Sequence, residues 1–171
     1  WTGKAFFHQA IYKNAGDNAF AAATSIKYNT GTVSAHMGYS FVGSDFQADV
    51  GFVKRIGFHR FGSDLEFKFY PEEGNILNHG PAFKFYNVLD ENFNTTDREF
   101  ELKYMINWLD RSKLSAELER GFVKLLAPFD PTNTSGDTLA AGSEYNWNEL
   151  SLDYVSDARK TLNFTSNIRY G

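Results

Sequence analysis

Polar and apolar residues take turns over long stretches of this chain. Val33, Ala35, Met37, Tyr39 and Phe41 share one parity; Thr32, Ser34, His36, Gly38 and Ser40 share the other. Successive side chains of an extended strand point to opposite faces, so a period of two predicts a strand with one dry face and one wet face. The same alternation runs through residues 20–28, 61–69, 100–108 and 162–170, with no charge on the apolar parity of any of them. Residues 4–13, 80–89 and 144–155 alternate less cleanly. In the first, either His8 or Gln9 falls on the apolar side. In the second, Asn87 interrupts Phe83, Phe85 and Leu89, and in the third only Leu150 to Tyr154 keep the rule.

Residues 112–126 fit two periods. Leu114, Leu118, Phe122 and Leu125 are spaced for a helix that Ser112 could cap. Leu114, Ala116 and Leu118 against Ser115, Glu117 and Glu119 are spaced for a strand, and Gly121 weighs against the helix. Counted as a strand, this stretch brings the total to about nine. Turn-type links at 29–31, 71–76, 110–112 and 156–160 alternate with longer links at 14–18, 43–56, 90–96 and 127–143. In an up-and-down meander, that order sends the short turns to one end of the sheet and the long loops to the other. Transmembrane β-barrels have this asymmetry, and a tilted strand of about 10 residues crosses a bilayer.

The expected fold is therefore all-β: an antiparallel up-and-down meander of about nine strands, part of a transmembrane β-barrel, with residues 1–171 as a single barrel segment. The chain starts at Trp1 without a methionine or a leader, which reads as a processed chain or an excerpt. Bacterial single-chain barrels use even strand numbers, and open sheet edges are not tolerated in lipid, so an excerpt of a larger barrel is expected. The rival with the same alternation is a soluble barrel or sandwich that turns its apolar side inward around an apolar ligand.

Composition narrows the classes. Apolar residues at 42% and aromatics at 17% exclude a disordered chain. Lys and Arg number 17 against 21 Asp and Glu, a net charge of −4 with no basic segment, so nucleic acid is not an expected partner. The absence of cysteine excludes disulfides, thiolate metal sites and a thiol nucleophile. No apolar run is long enough for a membrane-spanning helix, which leaves a spanning sheet open. Tyr28, Tyr39, Trp108, Tyr154 and Tyr170 lie near strand ends on the dry parity, where interfacial girdles belong. The expected partner is the lipid bilayer.

Candidate chemistry sits mainly on the wet parity. Lys27, His36, Arg60, Asp64, Glu66, Lys68, Glu99, Glu101, Lys103, Glu117, Glu119, Asp153 and Arg169 are the expected lumen lining. They would select solutes by charge or pair across strands, and their mixed signs favour pairing. Among His8, His36, His59 and His79 no two have metal-ligand spacing, so neither metal nor cofactor is expected. A lumenal hydrolase using Ser34 and His36 would need a partner strand, since residues two apart on a strand lie roughly 7 Å apart. A solvated histidine is the plainer reading, and no enzymatic activity is expected. Glu66 and Glu101 do not by themselves indicate a glycosidase. Residues 130–137 offer oxygen donors without the ordered acids of a calcium loop. The loop aromatics Phe46, Phe52 and Phe129 either stack on sugar rings or pack the loops over the barrel mouth.

Three loop motifs carry a resemblance. Asp45-Phe46-Gln47-Ala48-Asp49-Val50-Gly51-Phe52-Val53-Lys54-Arg55 resembles an "NFNPEVGFVRR"-type element. Glu119 to Phe129 is similar to "FERLLEPF", and Ala141-Gly142-Ser143-Glu144-Tyr145 to "PAGEY". These elements recur in Gram-negative outer-membrane proteins of unassigned function, in which a family-9-like carbohydrate-binding module precedes a C-terminal β-barrel. Ala48 stands where a proline is common, and Ser143 is inserted into the last element. The resemblance implies that residues 112–126 are a strand running into an outer loop, and that Arg55 belongs to a loop element. It further implies a pore, surface receptor or scaffold linked to a glycan or small solute.

Overall fold

The computed structural model describes residues 1–13, 16–48, 55–134 and 136–171. Among these residues there are nine strands: β1 (Thr2–Gln9), β2 (Phe20–Asn29), β3 (Val33–Val42), β4 (Phe58–Phe67), β5 (Ile76–Asp90), β6 (Thr95–Trp108), β7 (Lys113–Lys124), β8 (Glu144–Val155) and β9 (Thr165–Tyr170). Each pairs antiparallel with the next in a single open sheet ordered β1 to β9. Among the described residues the outer edges of β1 and β9 have no strand partner, and there is no helix.

The two-way pattern at 112–126 resolves as β7. It hydrogen-bonds along its length to β6 and β8, two ladders that an isolated helix could not match. The first segment is shorter than expected: β1 ends at Gln9, which faces Phe20, so Gln9 and not His8 takes the dry parity.

One expectation about the links is corrected. The link between β5 and β6 is only 91–94, shorter than 68–75 and 156–164 at the opposite end. Asp90 closes it: its carboxylate accepts the backbone N–H groups of Asn92 and Asn94, each at 2.9 Å, and Phe93 takes a φ of 62°. At this loop end, neighbouring links are tied together. The Glu91 carboxylate accepts the Ser44 N–H at 2.9 Å and the Asn18 side-chain amide at 3.3 Å. At the turn end, Arg159 binds Asp157 and donates to the Asp110 carbonyl, while Lys160 meets the Asp110 carboxylate at 2.9 Å. Hydrogen bonds from Arg159 hold the Asp157 carboxyl down to about 2, and those from Ser112 and Lys160 hold Asp110 well below the usual carboxylate range.

Little apolar surface is buried within the sheet. The buried apolar residues among those described are Ala19, Ala21 and Val88. The Glu101 side chain is 17% exposed, whereas Leu118 and Leu150 are 47% and 54% exposed. The accessible surface is 12028 Å², against about 8,500 Å² for a compact soluble monomer of this mass.

The apolar band also slants across the strands. In β3 it runs unbroken to Phe41, but in β8 it stops at Leu150 and in β7 it is unbroken only to Leu118, beyond which Arg120 and Lys124 flank Phe122; the Leu118–Leu150 row meets β3 at Ala35. Six positions at about 3.3 Å, over four to five strands about 4.8 Å apart, give a slope of about 40–45°.

Candidate functional site

The register carries the candidate charges onto one face. Lys27, His36, Asp64, Lys84, Glu101, Glu119 and Glu149 form one hydrogen-bonded row. Glu66, Lys103, Glu117 and Arg169 lie in the row toward the turn end, with Asp153 two positions further along β8. Arg60 and Glu99 lie toward the loop end, and Lys68 follows β4 with its ammonium 3.4 Å from Glu66. Lys84, absent from the expected lining, is flanked by Glu101 at 3.2 Å and Glu99 at 3.8 Å. Extending the parity of Phe83 and Phe85 by one residue would have found it.

Opposite charges meet across strands. His36 Nδ1 lies 3.1 Å from Asp64, Lys103 2.8 Å from Glu117, and Arg169 3.8 Å from Glu149. Glu119 instead accepts the Trp147 indole N–H at 3.0 Å, with the Trp147 ring lying over Gly121. Cross-strand pairs of this kind fix register and keep half-buried charges compensated. His36 is engaged by Asp64, and no hydrogen bond joins it to Ser34 among the described residues. Signs are nevertheless distributed unevenly. On this face β2 contributes Lys27, whereas β6 and β7 contribute Asp97, Glu99, Glu101, Glu117 and Glu119 against Lys103 and Lys113.

A concavity of about 390 Å³ opens on this polar face above Gly38 and Gly62. Those two glycines are register partners, so the sheet there has no side chain to fill the space. Its walls include the His36–Asp64 pair and Arg60, whose guanidinium lies 5.4 Å from the Tyr86 ring centroid.

The loop candidates divide. Arg55 folds back onto the polar face, where its guanidinium donates to the Asp97 carboxylate and to the Thr96 hydroxyl, both at 2.7 Å. Thr96 is 1% exposed, so this contact pins the end of the link preceding β4 to β6. Phe129 pairs through its backbone with Leu139, and its side chain remains exposed. The Phe46 N–H bonds the Gly43 carbonyl at 3.1 Å, and Phe52 lies outside the described residues. Asp130 caps its own turn by accepting the N–H groups of Thr132, Asn133 and Thr134.

The opposite face carries aromatic clusters at both ends. At the turn end, His79 shares a 2.6 Å hydrogen bond with the Tyr104 hydroxyl beside Phe69, and Trp1 lies 4.6 Å from Tyr28. At the loop end, Phe20, Phe41, His59 and Phe93 form a chain of ring contacts of 4.5–4.9 Å. His59 and His79, read from the sequence only as non-ligands, are members of these clusters. Arg98, Arg120 and Lys124 also fall on this otherwise apolar parity. Continuing the alternation of Phe100 and Leu118 toward the loop end finds all three.

Fold and faces together define an antiparallel up-and-down sheet protein with paired charges gathered on one face and many exposed apolar side chains on the other. Compared with family models, curated proteins and solved structures, the chain matches none of them.

Proposed function

We propose that this chain is the wall of an outer-membrane β-barrel, with its polar face toward a water-filled lumen and its apolar face toward lipid. The slanted apolar band is the observation that carries the reading. A membrane slab is level, so strands tilted 35–45° must meet it in a band that crosses their hydrogen-bond register obliquely. The slope of about 40–45° agrees with that requirement. The band's height fits as well. Ten residues separate His59 from Phe69 in the two aromatic clusters, about 33 Å of strand, which tilted by 40° spans about 25 Å.

Two edges without partners do not survive in lipid, so further strands of the full protein are proposed to complete the barrel. The resemblance to barrels that follow a carbohydrate-binding module is retained as part of this proposal, with glycan handling its implied role. Within it, the protein acts as a pore or receptor for a small hydrophilic solute, and the concavity over Gly38 and Gly62 is open space in the lining. No catalytic role is assigned to any residue.

Gly62→Trp tests the pore. A Cβ at Gly62 meets nothing within 4 Å, so the indole enters the lumen without disturbing the sheet. The full-length protein in planar bilayers should show a conductance that the substitution lowers at least twofold. Equal conductance in both proteins, or none in the unsubstituted one, contradicts transport through this lumen.

A further inference from the structure

Three cations stand at the loop end of the face that carries the apolar band, opposite Glu144, Asn146 and Asn148 of β8. Arg98 of β6 faces Phe122 of β7 in register, which places it diagonally between Arg120 and Lys124 on the same side of the sheet. Diagonal neighbours in antiparallel strands lie about 7–8 Å apart, within reach of one another's long side chains. Lys124 is paired with Glu144 at 3.0 Å. Arg98 rests 5.7 Å from the Phe122 ring centroid, and neither Arg98 nor Arg120 has an ion pair among the described residues. Asn146 and Asn148 of β8 face Phe122 and Arg120 and add amide donors. With Glu144 compensating Lys124, the like charges of Arg98 and Arg120 repel one another, and an anion held between the two arginines offsets that repulsion.

What lies beside the cluster indicates the anion. One row toward the turn end, the same face becomes Leu102, Leu118 and Leu150, and a row further it becomes Tyr104, Ala116 and Leu152. Leu118, Leu150 and Leu152 are all substantially exposed. A charged head site therefore opens directly onto an apolar track running along the strands. Free phosphate would use only the first, and an uncharged lipid only the second.

We infer that Arg98, Arg120 and Lys124 bind the phosphomonoester headgroup of a membrane lipid whose acyl chains lie along the Leu118–Leu150 track. This rests on the barrel reading, and adds that the lipid contact is specific on this side of the wall. Arg98, positioned by Phe122, and Arg120 supply planar forks suited to phosphate oxygens.

Native mass spectrometry of the full-length protein in detergent tests it, using dioleoyl phosphatidic acid as the probe, dioleoyl phosphatidylcholine as the neutral-head comparison and inorganic phosphate as competitor. Phosphatidic acid should bind about tenfold more tightly than phosphatidylcholine. R98Q/R120Q should remove that preference while retaining the heat-dependent gel mobility of a closed barrel. Should that variant not assemble, N148R, which adds a cation to the patch, should raise phosphatidic acid binding severalfold. No headgroup preference, no change in R98Q/R120Q, or no rise in N148R overturns the inference. Displacement by inorganic phosphate at equal concentration assigns the site to free phosphate and overturns it too. A full-length protein found outside the membrane without a heat-dependent shift defeats the barrel reading itself, whereas a membrane-embedded, heat-shifted protein without the preference defeats the lipid site alone.

Discussion

Met37→Arg is expected to abolish membrane assembly of the full-length protein, whereas Asn148→Arg is expected to leave it intact. The two positions belong to a single hydrogen-bonded row running through Ser63, Phe85, Phe100 and Arg120. Their side chains point to the same face, so neither register nor parity distinguishes them. Height does. In β3 this row crosses the middle of the apolar band, between Val33 and Phe41, but in β8 it lies beyond the last apolar residue, Leu150. An arginine at the lipid midplane of a barrel costs about 2–4 kcal/mol and close to none near the interface. The yield of heat-shifted protein in the membrane fraction should fall at least tenfold for Met37→Arg and stay within twofold for Asn148→Arg. Equal tolerance of both, or equal failure, contradicts a slanted lipid belt.

Gly80→Val should be nearly as damaging for a different reason. The β4–β5 ladder runs continuously to Glu66 and Ala82, then breaks at Pro81, which has no N–H to donate, and resumes only as the Phe69–His79 bridge. At that break the chain of β5 presses against β4. A Cβ on Gly80 would lie 2.0 Å from the Phe67 carbonyl oxygen, a backbone atom that cannot swing aside. Accommodating valine means separating the two strands at the turn end and losing the His79–Tyr104 cluster, on the order of 3 kcal/mol or more. The heat-dependent mobility shift of Gly80→Val should begin at a temperature at least 10 °C lower than that of the unsubstituted protein. An unchanged transition would mean that the close approach at Gly80 is not kept in the membrane.

Alternation made most of the sheet legible. Every strand after β1 contains a stretch of period-two sequence, and the parity of residues such as Ser34, Glu66 and Lys103 was enough to place them on one face. Strand limits were less legible, because side-chain pattern does not reveal where backbone pairing stops. Leu162 and Phe164 keep the alternation although β9 begins at Thr165, and the tail of residues 4–13 leaves the sheet at Gln9. The tight 91–94 turn depended on a carboxylate, Asp90, acting on the backbone of its neighbours, which a hydrophobic pattern does not record. The clamp from Arg55 to Thr96 and Asp97 joins residues some forty positions apart and could not be inferred from either segment. The slant of the band was hidden for a related reason. It is a relation between strands, and it emerges only once the register from β3 to β8 is known.

The central claim is that the odd positions of β3 face lipid and the even positions face water. The chain has no cysteine, so single cysteines can be introduced from Ser34 to Phe41 without background. In intact outer-membrane preparations of the full-length protein, a water-soluble maleimide should label cysteines at Ser34, His36, Gly38 and Ser40. Those at Ala35, Met37 and Tyr39 should stay protected from it, and a fluorophore attached there after unfolding and refolding into bilayers should be quenched by brominated acyl chains. Uniform labelling, or labelling of the odd set with protection of the even set, would contradict the account.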